Sequence, residues 1–108
     1  MVERVDLLSI GRFARLSGLT VHAVRFYGEL GLLEPALVDE DTGYRYYTSA
    51  QLQRAATIRR LRSLDLSLDE IREILALADP LQTRERLLRH RAHMRGVAAN
   101  AERILEEL

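Results

Sequence analysis

The sequence contains no cysteine, and this absence excludes several kinds of chemistry. Without cysteine the chain has no disulfide, no thiolate metal ligand and no cysteine nucleophile. It also has no apolar run near the ~20 residues that a membrane-spanning helix needs. The first residues, MVERVDLLSIG, are too short and too acidic for a secretory signal. We therefore expect a cytoplasmic protein without a membrane partner.

Lysine is absent as well, so all sixteen basic side chains are arginines, balanced by sixteen acidic ones. The balance is uneven, because residues 1–64 carry nine arginines and seven acids, and residues 65–108 carry the reverse. Arginine offers a planar fork that suits phosphates and base edges. An arginine-biased genome would produce the same composition, so this weak excess allows nucleic-acid binding without establishing it.

The sequence also lacks a catalytic constellation. Most of its serines and threonines fall at cap and turn positions, and it has no glycine-rich phosphate loop. Asp69 and Glu70 lie in the first turn of a predicted helix, where the helix dipole already favours acids. His90 and His93 could share a metal ion, but closed zinc sites usually need four ligands. We expect no enzyme, no metal site and no cofactor.

Two short helices with a tight turn between them are predicted near the N-terminus. Ser9 is placed to cap the first helix, and Gly18 to end it. Thr20 is placed to cap the second helix, whose predicted core face consists of Val21, Val24, Tyr27 and Leu30. This arrangement is typical of a helix-turn-helix.

A hairpin and two further helices are predicted next. Pro35 forbids more helix, and the turn-forming residues 39–43 lie between two segments of β character. A third helix is predicted from Thr48–Ser49 to Leu64. Ser67 and Glu70 form a capping-box pattern that begins a fourth helix.

The last segment carries a heptad pattern of alternating four- and three-residue steps. Its members are Leu87, Arg91, Met94, Ala98, Ala101, Leu105 and Leu108. This pattern predicts a coiled-coil dimerisation helix over residues 79–108, capped by Asp79. Residues 1–78 are then a separate domain that contains the predicted helix-turn-helix, the expected DNA-binding part of the chain. A chain of 108 residues has a modest core, which a partner subunit would extend.

Five side chains of the second helix are not claimed by the core and could face DNA: Thr20, His22, Ala23, Arg25 and Phe26. Arg25 could grip a guanine edge, hold a phosphate or pair with Glu29, one helical turn away. His22 could donate a hydrogen bond to a phosphate.

The strand Tyr44-Arg45-Tyr46-Tyr47 places Tyr44 and Tyr46 on one face and Arg45 and Tyr47 on the other. One pair is expected in the core. The exposed pair could bind backbone phosphates, adding affinity rather than sequence choice, unless the strand is purely structural. The third helix adds Arg59, Arg60 and Arg62 near its end.

The chain resembles the MerR family of bacterial transcription regulators in three stretches that cover roughly residues 7–78: LLSIGRFARLSGLTVHAVRFYGELGLLEP, DEDTGYRYYTSAQL and LRSLDLSLDEIREIL. The run DTGYRYY is most similar to the branch of multidrug-sensing activators. The resemblance implies a mainly α-helical, winged helix-turn-helix fold with a second helical pair. It also implies a homodimer joined by an antiparallel coiled coil of long C-terminal helices.

The function implied by the resemblance is binding to two-fold symmetric operators in promoters whose polymerase-binding elements are unusually far apart. Family dimers bend and untwist this DNA so that RNA polymerase can use it, which makes polymerase an indirect partner. By motif match, the resemblance assigns DNA contacts to Arg25, Phe26, Tyr27, Tyr44, Arg45, Tyr46 and Arg62.

The chain departs from the family at Arg25-Phe26-Tyr27-Gly28, where Arg-Tyr-Tyr-Asp is common. Phe26 has no hydroxyl for a phosphate, and Gly28 removes a carboxylate and costs ~1 kcal/mol of helix propensity. The cysteines of the metal- and redox-sensing branches and the usual C-terminal effector domain are missing, which fits a fragment or a short member. A protein-interaction module centred on the heptad helix is the alternative class of function.

Overall fold

The computed structural model describes residues 6–108 and is mainly helical, as predicted. Its elements, in chain order, are β1 (Leu7–Ser9), α1 (Ile10–Ser17), α2 (Val21–Glu29), β2 (Leu37–Val38), β3 (Arg45–Thr48), α3 (Gln51–Ser63), α4 (Leu68–Ala76) and α5 (Pro80–Glu107). The chain forms two compact units, one ending at Leu68 and one beginning at Asp69. Within residues 6–108, no helix combines the length and apolar character needed to cross a membrane.

The helix-turn-helix is built from the predicted local signals. Ser9 has an extended backbone, and its hydroxyl accepts a hydrogen bond from Arg12 N at 3.3 Å. Gly18 ends α1 in the left-handed conformation, at φ 77°, and its N–H donates to the Ala14 carbonyl. Thr20 Oγ1 accepts from Ala23 N at 3.0 Å and so caps α2. These interactions satisfy backbone groups that the helix ends would otherwise leave unpaired.

The hairpin is part of a three-stranded antiparallel sheet in the order β1-β3-β2. Its turn lies where the sequence predicted it: Asp39 Oδ1 accepts from the backbone N–H groups of Asp41 and Thr42, at 2.8 and 3.0 Å. Strand β1 was not predicted. Its three residues are too few to show an alternating pattern, and pairing with β3 is what makes them a strand.

Strand β3 resolves which face of the hairpin enters the core. Tyr47 is fully buried, and its ring stacks on Phe13 with centroids 4.6 Å apart. Arg45, on the same face, is half-buried, and Tyr44, on the other, is 67% exposed. The inward pair is therefore Arg45 and Tyr47.

The core of the first unit consists of apolar side chains from every helix of the unit and the loop after α2. Its fully buried members include Phe13, Val24, Leu32, Leu33, Ala55, Ile58 and Leu66. The prediction that Val21 belongs to this core is wrong, because its side chain is 37% exposed. Helix α2 has only nine residues, and Leu32 and Leu33 fill the core beyond its end.

The loop after α2 is held by polar side chains of α3. Arg54 Nε donates to the Leu32 carbonyl at 2.7 Å, and Gln51 Nε2 donates to the Glu34 carbonyl at 2.6 Å. Gln51 Oε1 also accepts from Thr48 N at 2.9 Å. Helix α3 begins at Gln51, later than the predicted Thr48–Ser49, because Thr48 is paired in β3.

The second unit contains most of α4 and the long helix α5. Asp79 Oδ1 accepts from Leu81 N at 3.0 Å, and Pro80 occupies the first turn of α5, as predicted. Arg86 Nη2 and Glu70 Oε2 form an ion pair at 2.7 Å, which joins α4 to α5. Towards its end α5 exposes Val97, Ile104 and Leu105, the last to 69%.

The Tyr47 hydroxyl is buried and has no hydrogen-bond partner among the described residues. Burial raises the pKa of Tyr47 above its ordinary value. The positive charges of Arg45 and Arg25 partly oppose this rise, and so does a side-chain interaction of the Arg45 guanidinium with the hydroxyl, outside ideal hydrogen-bond geometry. The folded chain therefore keeps the Tyr47 proton to higher pH than the unfolded chain does. The contribution of neutral Tyr47 to stability is complete below the ordinary tyrosine pKa of about 10 and is lost as pH rises through the higher folded value.

We predict that Tyr47→Phe leaves the free energy of unfolding at neutral pH unchanged or raises it by about 1 kcal/mol. The variant keeps the stacked ring and removes an unsatisfied buried hydroxyl. Its advantage over the wild type should grow above about pH 10, where the wild type alone must keep Tyr47 protonated to stay folded. Urea unfolding at neutral and alkaline pH measures both effects. A variant clearly less stable at neutral pH would show that the hydroxyl has a partner.

Candidate nucleic-acid interface

A groove of about 490 Å³ lies between the second helix and the hairpin wing. Arg25 and Glu29 of α2 line one side, and Tyr44, Arg45 and Tyr46 of the wing line the other. Two guanidinium groups and two tyrosines thus surround one concave surface of the first unit. Such groups donate hydrogen bonds to phosphate oxygens and bases.

The recognition-helix residues predicted to face DNA are placed on the surface. His22 and Arg25 are exposed, and the Phe26 ring is 42% exposed. Within residues 6–108, Arg25 makes no ion pair with Glu29, so that alternative for Arg25 is not observed. Its guanidinium is therefore available to a ligand.

Two predicted contact residues of the recognition helix and its cap, Thr20 and Tyr27, have other contacts in the fold. The Thr20 hydroxyl is occupied as the cap of α2, although the residue is exposed. Tyr27 is only 9% exposed, so its ring is largely a core element. DNA could touch Tyr27 only along the edge that remains accessible.

The wing residues differ in how far they are committed to the fold. Tyr44 is free on the surface and Tyr46 is half-buried. Arg45 is also half-buried, and its Nη1 donates to the Arg25 carbonyl at 3.4 Å. The wing thus presents two tyrosines outward and holds its arginine between the strand and α2.

The arginines of α3 are used in part for internal contacts. Arg62 Nη1 donates to the Leu66 carbonyl at 2.6 Å, which ties the end of α3 to the turn after it. Asp65 in that turn has a positive φ of 60°. Arg59 lies against Gly18, because a Cβ at Gly18 would be 3.4 Å from Arg59 Nε. The roles of Gln51 and Arg54 were not predicted from the sequence, because no local pattern shows which distant carbonyl a side chain meets.

The predicted dimerisation residues lie along α5 and, for Leu108, just after it. Leu87 and Met94 are half-buried, and the later members are exposed, Leu105 to 69% and Leu108 to 95%. His90 is buried and His93 exposed. No group of three or more potential metal ligands is found in residues 6–108.

Two helices joined through Gly18, with a hairpin wing beside the second helix, define a winged helix-turn-helix protein. Residues 8–78 match the family described as MerR HTH family regulatory protein, and residues 52–108 match MerR, DNA binding. The chain belongs to the MerR family and carries its DNA-binding region, as the sequence motifs predicted.

Three similar proteins illustrate this relationship. The transcriptional regulator BrlR of Pseudomonas aeruginosa is 36% identical over 105 residues, which are 94% of this chain and 39% of BrlR. The multidrug-efflux transporter 1 regulator of Bacillus subtilis is 38% identical over 65 residues, 60% of this chain and 23% of that protein. The EcmrR–DNA complex has a TM-score of 0.70 and 31% identity, covering 92% of this chain and 37% of EcmrR.

The two sequence relatives are regulators rather than enzymes, and one of them regulates a multidrug transporter, in agreement with the predicted branch. The chain spans less than half the length of each of these three proteins.

We predict that Arg62→Ala lowers the free energy of unfolding by about 1 kcal/mol, because it removes the hydrogen bond to the Leu66 carbonyl. Arg60→Ala is the control, since it removes the same charge from an exposed neighbour. If Arg62 also holds a phosphate, the salt dependence of DNA binding becomes shallower by about one unit. Unfolding and salt titrations measure the two roles separately. Equal stability of both variants would contradict the structural role.

Proposed function

We propose that this chain binds double-stranded promoter DNA at a two-fold symmetric operator as a homodimer and regulates transcription by distorting that DNA. The observation that carries this proposal is the groove between α2 and the wing, where Arg25, Arg45 and two tyrosines surround one concavity. The likeness to the EcmrR–DNA complex supports DNA as its ligand.

The recognition helix is proposed to enter the major groove, where each base pair has a distinct donor and acceptor pattern. Arg25 is its best candidate for a base contact, since its fork is exposed and unpaired among the described residues. His22 and Phe26 lie exposed on the same short helix and are proposed to contact the backbone or base methyl groups. Thr20 is proposed to contribute to DNA binding by capping α2 and so fixing the start of the recognition helix.

The wing is proposed to bind backbone phosphates beside the recognition helix. Tyr44 offers an exposed hydroxyl, and Tyr46 and Arg45 line the same groove. The family motif adds Tyr27 and Arg62 to the proposed phosphate-binding residues. Burial of Tyr27 and the hydrogen bond of Arg62 to the Leu66 carbonyl limit the groups that these two residues can present to DNA. Phosphate contacts of this kind fix the register on DNA.

The dimer is proposed to form through α5, which has 28 residues and exposes apolar side chains towards its end. Only a partner can remove an apolar helix face of this kind from water. The heptad spacing of the apolar residues suits a second copy of the same helix. Residues 1–78 are then the DNA-binding portion and residues 79–108 the dimerisation portion. A two-fold dimer presents two recognition helices, which accounts for a symmetric operator.

DNA distortion is the proposed mechanism by which the dimer regulates transcription. A dimer that bends or untwists a promoter changes how RNA polymerase meets it without touching the enzyme, so polymerase is an indirect partner. These events would take place in the cytoplasm.

Binding-site selection from random duplexes tests the proposal. We expect enrichment of an inverted repeat, with binding that weakens steeply as salt rises, as phosphate neutralisation requires. Equal binding to all sequences would contradict an operator-specific regulator. Failure to bind any duplex, with dimerisation intact, would instead favour a protein-interaction module built on α5.

We predict that Arg25→Ala costs ~1–3 kcal/mol of operator affinity and relaxes the preference at one symmetric pair of positions, since a bidentate contact to guanine is lost. Selection with wild type and variant measures the preference profile. The control is Arg60→Ala, which removes an equal charge from an exposed site on α3. A profile of unchanged shape would move Arg25 to a phosphate role and place sequence choice in DNA shape.

We predict that Leu105→Arg weakens dimerisation and operator binding together, because it places a charge in the proposed apolar seam. Asn100→Arg adds the same charge to the same helix outside the seam and should leave both unchanged. Sedimentation at micromolar concentration should give twice the chain mass of 12.4 kDa for the wild type and the control. A monomeric wild type would overturn the coiled-coil assignment.

A further inference from the structure

The guanidinium of Arg45 connects the wing to the recognition helix. Its Nη1 donates to the main-chain carbonyl of Arg25 at 3.4 Å, between residues twenty apart in sequence. Arg25 is also the residue whose side chain is the best candidate for reading a base. Arg45 therefore holds the backbone from which the Arg25 side chain projects.

The end of α2 favours a cation at this place. The C-terminal end of a helix carries a partial negative charge, which Lys or Arg in the last turn usually offsets. The last turn of α2 has no basic residue and ends at Glu29. Arg45 supplies from the neighbouring strand the positive charge that the last turn of α2 lacks.

Gly28 provides the space in which this guanidinium lies. A Cβ at position 28 would be 3.5 Å from Arg45 Nη1, 3.5 Å from Tyr47 Oη and 3.4 Å from the Leu33 carbonyl. A methyl group at these distances makes ordinary contacts. A longer side chain would start from a Cβ that these three groups surround, so it would compete with Arg45 for the same space.

Tyr47 bounds the same place from the side of the sheet. Its hydroxyl is buried without a hydrogen-bond partner in the described part of the chain, and its ring is fixed by the stack on Phe13. The guanidinium thus lies among the α2 carbonyl, the bare backbone of Gly28 and the buried side chain of Tyr47. Helix α2 and strand β3 are consequently held together at this point.

We propose that Arg45 is a positioning residue that sets Arg25 relative to the wing, so that sequence preference, and not only affinity, depends on the wing. Gly28 is the second member of this device, since its missing side chain admits the guanidinium. The inference rests on the proposed DNA binding. It replaces the expectation that the wing adds affinity alone.

The link itself is tested without DNA by amide hydrogen exchange over residues 21–33. Arg45→Gln should increase exchange several-fold in the last turn of α2, because the contact to the Arg25 carbonyl is lost. Arg60→Gln removes the same charge from an exposed position on α3 and should leave α2 unchanged. Unchanged exchange in Arg45→Gln overturns the link, whether or not the chain binds DNA.

The effect on sequence preference is tested by binding-site selection with Gly28→Met and Gly28→Ala. Gly28→Met keeps every arginine but occupies the guanidinium's place, so it should flatten the preference at the positions that Arg25→Ala affects. Gly28→Ala fits and should keep the wild-type profile. If Gly28→Met does not fold cooperatively, Arg45→Gln decides the same question.

A wild-type profile in Arg45→Gln, with weaker binding and a salt dependence shallower by about one unit, would mean that Arg45 only holds a phosphate and would overturn the proposal. A wild-type chain without sequence preference would instead remove the proposed function, and the exchange experiment would still decide the link.

Discussion

The stack of Tyr47 on Phe13 is the contact on which the geometry of the interface depends. It joins the central strand of the wing to the first helix, and both rings are fully buried. Because successive residues of a strand face opposite sides, an inward Tyr47 obliges Arg45 to face inward and Tyr44 and Tyr46 to face outward. A shift of one residue in β3 would exchange these faces and replace the groove with another surface.

Arginine serves two purposes in this chain, and the net charge of zero conceals both. Arg54 and Arg62 donate to main-chain carbonyls and hold loops in place, whereas Arg25 is exposed beside the groove. Arg45 combines the two purposes, since it lines the groove and also contacts α2. The excess of arginine in the first unit is therefore partly structural. Composition cannot separate these uses, because a guanidinium fork can donate to a carbonyl and to a phosphate.

Features that depend on neighbouring residues were predictable from the sequence. The caps at Ser9, Thr20 and Asp79, the left-handed Gly18 and the hairpin turn at Asp39 all lie where their local patterns placed them. The mainly helical fold was predictable from these helix-capping and helix-ending residues together with the periodicity of the apolar residues. The family motifs extend over the same segments, so they too identify the class of protein from local sequence.

Contacts between residues distant in sequence required the tertiary structure. Pairing with β3 made β1 a strand, and Val21, the first residue of α2, is exposed although the apolar pattern placed it in the core. The sequence offered two faces of the wing strand, and only the Phe13 stack decided that Arg45 points towards α2. By itself, then, the sequence determined the elements and the residues able to bind DNA, because caps and periodicity act within a few residues. The tertiary structure alone decided which of those residues are free and which are held, because burial and carbonyl partners come from other elements.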